Sequence, residues 1–183
     1  MPISLVVLQG PSASGKSTIQ SRLKLPRIVT WTSRQPRPGE VDGVDYFFKS
    51  RAEMDDLFRN GLMIEMTEYH GNYYGTPLQL AEDVMREDVC RSVVLDRAGA
   101  DKLRQLFRDR VLLIGIKAAR ADCERRLASR GRLPEEIADR MSTFDEEVEA
   151  LSGCDIVLNN SDENLAKIDE ATDWIRAGLG RRA

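Results

Sequence analysis

The sequence Gly10-Pro11-Ser12-Ala13-Ser14-Gly15-Lys16-Ser17 fits the phosphate-loop (P-loop) pattern G-x-x-x-x-G-K-[ST]. It follows an apolar run at residues 3–9, which is typical of a strand buried on both faces, and it precedes a predicted helix. Glycines let successive backbone N–H groups point at a phosphate, and the start of a helix adds positive potential. The segment therefore predicts an α/β fold that binds a nucleotide.

The chemistry of the P-loop assigns two side chains directly. Lys16 is predicted to reach the β- and γ-phosphates of ATP, and the Ser17 hydroxyl is predicted to be a Mg²⁺ ligand. The loop is shared by motors, GTPases and small-molecule kinases, but the N-K-x-D motif expected of a GTPase is absent from the sequence. The predicted ATP-binding residues here are Gly10, Pro11, Ser12, Ala13, Ser14, Gly15, Lys16, Ser17 and Thr18.

Composition excludes several other classes of protein. The 183 residues carry a formal net charge of −3, which gives no global signal for binding nucleic acid or a membrane. No apolar stretch approaches the length of a transmembrane helix, and the N-terminus lacks the features of a signal peptide. Three widely spaced cysteines and a single histidine match no familiar zinc site or disulfide framework. We therefore expect a cytoplasmic protein with small-molecule partners, either a monomer or a homodimer.

The order of predicted elements indicates one α/β domain spanning residues 1–183. Apolar runs at 3–9, 27–31, 91–96, 111–117 and 155–159 alternate with amphipathic helical segments, which predicts a five-stranded parallel sheet flanked by helices. Residues 34–75 break this alternation, because turn signals separate predicted strands at 46–48 and 62–69 from a predicted helix at 50–60. We predict a core of residues 1–33 and 76–183, a small inserted α+β subdomain at 34–75, and a polar lid at about 128–142.

Two further stretches suggest a second phosphate-bearing substrate. In Thr32-Ser-Arg34-Gln-Pro-Arg37-Pro-Gly-Glu40, two arginines flank a proline turn, and arginine forks match phosphate oxygens. In Glu65-Met-Thr-Glu-Tyr-His-Gly-Asn-Tyr-Tyr74-Gly-Thr, a glycine-framed aromatic turn follows a carboxylate. A carboxylate can accept from the N1–H and 2-amino edge of guanine, which adenine does not offer.

Together with the P-loop, these stretches resemble the guanylate kinase family, in the same order, from residue 3 to about residue 175. The resemblance implies a P-loop kinase that transfers a phosphoryl group from ATP to GMP with Mg²⁺, and it makes the insertion the nucleoside monophosphate-binding (NMP-binding) subdomain. Arg34, Arg37, Tyr46 and Tyr74 would hold the GMP phosphate, with Glu40 orienting the arginines. The other implied GMP-binding residues are Thr30, Glu65, Gly75, Thr76 and Asp96.

The resemblance also extends into the C-terminal half. Arg126, Arg130 and Arg140 would close over the ATP phosphates as part of the lid, and Asn159 or Asn160 would contact adenine. The predicted catalytic residues are Lys16, Arg34, Arg126, Arg130 and Arg140.

The sequence departs from the family pattern at specific positions. Val94 stands where the family has the first of two strand aspartates, and Ala13 replaces a usual loop glycine. The lid is about one residue short, which leaves the register of Arg140 open. Three alternatives to GMP phosphorylation follow: a deoxynucleotide or modified purine as acceptor, another small phosphate such as ribose 1,5-bisphosphate, or a guanylate-kinase-like module that binds proteins without catalysis.

Overall fold

The computed structural model describes residues 3–86 and 89–180, which form strands and helices with short 3₁₀ turns between some of them. In chain order the elements are β1 (Leu5–Gln9), α1 (Lys16–Leu23), β2 (Trp31–Thr32), β3 (Phe47–Phe48), α2 (Arg51–Arg59), β4 (Met63–Tyr69), β5 (Asn72–Pro77), α3 (Gln79–Arg86), β6 (Arg91–Val94), α4 (Arg97–Phe107), β7 (Val111–Lys117), α5 (Arg120–Ser129), α6 (Pro134–Ser142), α7 (Phe144–Glu149), β8 (Ile156–Asn159) and α8 (Leu165–Gly180).

The main sheet is parallel, has the order β6-β1-β7-β8, and is covered on both faces. Every residue of β1 is buried, and successive side chains alternate between two apolar cores. Leu5 and Val7 pack with residues of α3 and α4, whereas Val6 and Leu8 pack with residues of α1 and α8. This burial on both sides explains why β1 is a continuous apolar run.

The prediction of a fifth parallel strand at residues 27–31 is wrong. The Ser92 N–H donates to Pro26 O and the Ile28 N–H donates to Ser92 O, both at 2.8 Å, and together these bonds make a single parallel bridge. The chain then leaves the main sheet, and Trp31 and Thr32 pair with β5 and β3 in a second sheet. An apolar run shows that a segment is buried but not which sheet it joins.

The second sheet has the order β3-β2-β5-β4 and lies largely within the predicted insertion. Helix α2 covers part of it, and the helix begins with a capping box in which Ser50 and Glu53 exchange hydrogen bonds. The tight turn of the β4–β5 hairpin is at His70 and Gly71. The prediction of an aromatic turn is therefore wrong, because Tyr73 and Tyr74 lie on β5.

The predicted lid segment spans the end of α5, a short loop and α6. Helix α5 ends at Ser129, Gly131 adopts a positive φ of 73°, and Pro134 opens α6, as proline does at a first helical position. Cys123, Leu127, Met141 and Phe144 form a small core between these helices and α7. Among the described residues, no helix combines the length and the apolar character needed to cross a bilayer.

Candidate active site

The P-loop has a backbone conformation that explains its glycines. Gly10 has φ of 143°, and a Cβ added there would lie 2.1 Å from the carbonyl oxygen of Ile116 on β7. Gly15 has φ of 99°, and an added Cβ would lie 2.1 Å from Nδ2 of Asn160. Ala13, which replaces the usual family glycine, also has a positive φ of 61°. The alanine is therefore strained by about 1 kcal/mol relative to glycine.

The Lys16 side chain bonds back to the start of the P-loop. Its Nζ donates to the carbonyl oxygen of Gly10 at 2.5 Å and to that of Pro11 at 2.8 Å. Burial lowers the pKa of Lys16, the Glu147 carboxylate partly opposes this, and the resulting pKa is about 8. The ammonium lines the cavity, where phosphate oxygens of a bound polyphosphate could replace its carbonyl partners.

Two residues from the C-terminal half support the P-loop from behind. Arg126 donates to the carbonyl oxygen of Ala13 at 3.2 Å and to that of Asn160 at 2.7 Å, and it forms an ion pair with Asp162. Asn160 is buried and donates to the carbonyl oxygen of Ser14 at 2.8 Å. The Asn159 side chain instead accepts from Ser161 and lies outside the cavity.

A cavity of about 890 Å³ lies in front of the P-loop, between the two sheets and the predicted lid. Of the predicted site residues it is lined by Gly10, Ser12, Ala13, Gly15, Lys16, Ser17, Thr18, Thr30, Arg37, Glu40, Tyr46, Glu65, Tyr74, Gly75, Asp96, Arg130 and Arg140. The predicted residues outside its lining are Pro11, Ser14, Arg34, Thr76, Arg126 and Asn159.

An arginine–tyrosine cluster occupies one end of the cavity. Arg34 is buried and makes two hydrogen bonds of 2.9 Å to the Glu40 carboxylate, which also accepts from the Arg37 backbone N–H at 2.7 Å. Burial opposes the charge of Arg34, but the bonds to Glu40 outweigh it and raise its pKa. The Arg34 guanidinium lies 5.3 Å from the Tyr46 ring centroid, and Tyr46 packs edge-on against Tyr74. The cluster therefore places the Arg37 guanidinium and the phenol groups of Tyr46 and Tyr74 at the cavity wall.

The middle of the cavity carries two carboxylates, and each accepts a hydrogen bond from a threonine. Thr76 donates to Glu65 and Thr67 donates to Asp96, both at 2.5 Å. Burial raises the pKa of Glu65 to about 7, with a smaller upward contribution from the Asp96 charge, although the Thr76 hydroxyl favours the ionised form. Asp96 also caps α4, because it accepts from the Gly99 N–H at 2.9 Å.

The predicted lid contributes arginines at the opposite wall. Arg140 points at the P-loop and has its Nη1 3.4 Å from the Ser12 hydroxyl. Arg130 lines the same wall, as does Arg132, which is held by an ion pair with Glu136 at 2.9 Å.

Several cavity residues were not among those predicted from the sequence. Tyr69 donates to Glu147 at 2.9 Å, and Thr143 donates to the same carboxylate at 2.8 Å. His70 Nδ1 lies 2.8 Å from the Asp139 carboxylate, so the β4–β5 hairpin contacts both α6 and α7. Period-two alternation along β4 could have identified Thr67 and Tyr69, since both share a face with Glu65.

The residues at the start of α1 fit a magnesium ion. Ser17 is exposed to the cavity and supplies a hard oxygen donor. Mg²⁺ typically takes one or two protein oxygens and completes its shell with phosphate oxygens and water. Val94 lines the cavity where a family carboxylate is expected, and Asp96 has both oxygens engaged by Thr67 and Gly99. Ser17 is therefore the donor that fits best.

Comparison with known proteins agrees with this geometry. The family model described as guanylate kinase matches residues 3–174. This chain belongs to the guanylate kinase family. A guanylate kinase of Streptococcus thermophilus is 37% identical over 169 residues, with 88% of this chain and 81% of the relative covered. A guanylate kinase of Bacillus anthracis is 33% identical over 169 residues, with 88% and 82% covered.

A solved structure supports the same family assignment. The crystal structure of guanylate kinase from Anaplasma phagocytophilum superimposes with a TM-score of 0.76 at 30% identity, covering 97% of this chain and 84% of that chain. Membership of the guanylate kinase family makes this chain a nucleotide-binding transferase of the kinase class, with an α/β fold. The P-loop of this family member has both its lysine, Lys16, and its serine, Ser17.

Proposed function

We propose that this protein transfers the γ-phosphoryl group of ATP to GMP, giving ADP and GDP. The observation that carries this proposal is the convergence of three groups on one cavity: the P-loop, the arginine–tyrosine cluster, and the carboxylates of Glu65 and Asp96. A phosphate site and a base-edge site at a fixed separation fit a nucleoside monophosphate. A ribose bisphosphate has no base edge to offer the remaining lone pairs of the two carboxylates, which disfavours that alternative.

The proposed arrangement gives each substrate its own part of the cavity. ATP phosphates lie along the P-loop, with Lys16 at the β/γ end and the lid residues Arg130 and Arg140 opposite. The GMP phosphate lies against Arg37, Tyr46 and Tyr74. Arg34 donates to Glu40, which also accepts from the Arg37 N–H, and these bonds hold this part of the chain in place.

Phosphoryl transfer between these groups requires mainly alignment and charge neutralisation. The GMP phosphate is already ionised at neutral pH and needs no strong general base. Mg²⁺, when held by Ser17 and the phosphates, supplies charge neutralisation at the β- and γ-oxygens. Lys16 and the lid arginines add positive charge, and the bonds from Tyr69 and His70 connect the β4–β5 hairpin to α7 and α6.

We further propose that the second sheet with α2 acts as the NMP-binding subdomain and that residues 128–142 act as the lid. Arg126 and Asn160 are assigned a supporting role, because both hold P-loop carbonyl groups. The Asn159 side-chain oxygen accepts from Ser161, so we assign Asn159 a role in shaping this turn rather than in binding adenine.

A coupled ADP-release assay with ATP and Mg²⁺ tests the function against GMP, dGMP, IMP, AMP, UMP and a ribose phosphate. We expect efficient turnover only with GMP and dGMP. Turnover restricted to another acceptor would mean that Glu65 and Asp96 bind a different ligand. ATP binding without turnover of any acceptor would support the non-catalytic alternative.

A matched pair of variants tests the phosphate site. Arg37→Ala removes a cavity guanidinium, and we expect the KM for GMP to rise about 10- to 100-fold. Arg59→Ala, on the exposed end of α2 in the same subdomain, is the control and should leave the KM unchanged. Arg34→Ala should also raise the KM for GMP, and normal GMP kinetics in both Arg37→Ala and Arg34→Ala would refute the site assignment.

A further inference from the structure

The two carboxylates that face the middle of the cavity belong to different sheets. Glu65 lies on β4 of the second sheet, whereas Asp96 follows β6 of the main sheet and caps α4. The distance between them therefore depends on how the two sheets are held together. A planar base edge with two adjacent donors needs both carboxylates at a fixed separation, and neither strand alone provides it.

Thr67 makes a direct side-chain connection across this junction. It lies two residues beyond Glu65 on the same face of β4, and its hydroxyl donates to Asp96 Oδ2 at 2.5 Å. The other carboxylate oxygen of Asp96 accepts from the Gly99 N–H at 2.9 Å. Gly99 also lies close to Glu65, because an added Cβ would approach Glu65 Cδ to 3.4 Å. The start of α4 is thus packed against both β4 residues.

We propose that Thr67 is a positioning residue that determines base specificity by fixing the Asp96 carboxylate relative to Glu65. The proposal rests on the proposed function, since it concerns the guanine edge of GMP. A donor bond to each Asp96 oxygen restricts the carboxylate, which lines the cavity, to one rotational setting and leaves one lone pair on each oxygen for a ligand. Without the Thr67 hydroxyl, Asp96 keeps its helix cap but loses the bond that ties it to the second sheet.

A comparison of GMP with IMP distinguishes a positioning role of Thr67 from a purely structural one. Guanine offers N1–H and a 2-amino group, so it can engage both carboxylates. Hypoxanthine, the base of IMP, offers only N1–H on this edge and leaves one carboxylate unused. If Thr67 aligns the pair, its loss should weaken GMP much more than IMP. If Thr67 only supports the fold, both substrates should be affected equally.

The experiment uses the full chain with ATP and compares Thr67→Val with Thr67→Ser. Valine keeps the β-branched shape suited to a strand and removes the donor, whereas serine keeps the donor. For Thr67→Val we expect the KM for GMP to rise about tenfold with kcat within about twofold. The kcat/KM for IMP should change by less than about twofold in Thr67→Val. Thr67→Ser should keep the wild-type KM for GMP.

A double-mutant cycle with Asp96→Asn completes the test. Asparagine also caps helices, so this variant preserves the start of α4. If Thr67 acts through Asp96, adding Thr67→Val to Asp96→Asn should cost less than about twofold in kcat/KM for GMP. An unchanged GMP/IMP preference in Thr67→Val, or a full additional loss in the double variant, would overturn the inference. A wild-type protein that does not use GMP would instead overturn the proposed function.

Discussion

Replacing Glu65 with glutamine is expected to change the pH dependence of both stability and GMP use. Burial in the cavity raises the pKa of this carboxyl from 4.5 to about 7. At about 1.36 kcal/mol for each pH unit, this difference corresponds to about 3 kcal/mol against the ionised form. The Glu65 side chain is half-buried beside an open cavity, so solvent screening brings the expected effect to between about 1 and 3 kcal/mol.

The sign of the stability effect follows from proton binding. Between pH 4.5 and about 7 the folded protein keeps the Glu65 proton while the unfolded chain has lost it. The free energy of unfolding contributed by this group therefore falls as pH rises through that range and is constant above it. Glutamine does not ionise, and its amide oxygen still accepts from Thr76, so Glu65→Gln removes the titration while keeping the hydrogen bond.

Urea unfolding of wild type and Glu65→Gln at pH 5, 6, 7 and 8 measures this difference. We expect similar stability at pH 5 and an advantage of about 1–3 kcal/mol for Glu65→Gln at pH 8. Lys16 has a pKa lowered to about 8, so its titration raises the free energy of unfolding only above that pH. This contribution is the same in wild type and Glu65→Gln. Parallel stability curves from pH 5 to 8 would refute the assigned burial of the Glu65 charge.

GMP kinetics give an independent measure of the same ionisation. The ionised Glu65 carboxylate accepts from a base N–H more strongly than the protonated carboxyl group does, so kcat/KM for GMP should rise with pH up to about 7 in the wild type. Ionisation of GMP is shared by both enzymes, so the ratio of wild-type to Glu65→Gln kcat/KM at matched pH should isolate the Glu65 contribution and rise up to about pH 7. Glu65→Gln should also prefer GMP over IMP and AMP less strongly. A ratio that does not change with pH would assign the pH dependence of GMP use to another group.

Three further substitutions probe other parts of the site. Lys16→Met should lower kcat about 1,000-fold or more with little loss of fold, measured by ADP release and thermal unfolding. Gly10→Ala should destabilise by about 3 kcal/mol or more in urea unfolding, since its Cβ would meet the Ile116 oxygen at 2.1 Å; wild-type stability would contradict the strained turn. Tyr69→Phe removes the donor to Glu147 and should speed amide exchange in α7 about tenfold, whereas unchanged exchange would show that this bond does not hold the helix.

Local sequence patterns determined the features whose physics is local. The P-loop is one continuous segment between a buried strand and a helix, so residue order alone predicts its conformation and its ligand class. The helix at residues 50–60 was predictable from the Ser50 and Glu53 pattern, which acts over a single turn. The α/β class followed from alternating buried strands and amphipathic helices, because burial on both faces leaves a continuous apolar run.

Tertiary structure decided the features that depend on distant partners. Residues 27–31 read as a strand, but hydrogen bonds to Ser92 and the pairing of Trp31 with Gly75 divide the segment between two sheets. The role of Asn160 became visible only where its amide meets the P-loop, 146 positions earlier in the chain. Thr67 likewise appears as an ordinary strand residue until the fold places Asp96 within hydrogen-bond distance. Sequence periodicity reports which side of an element is buried, whereas the identity of the partner depends on how whole elements pack.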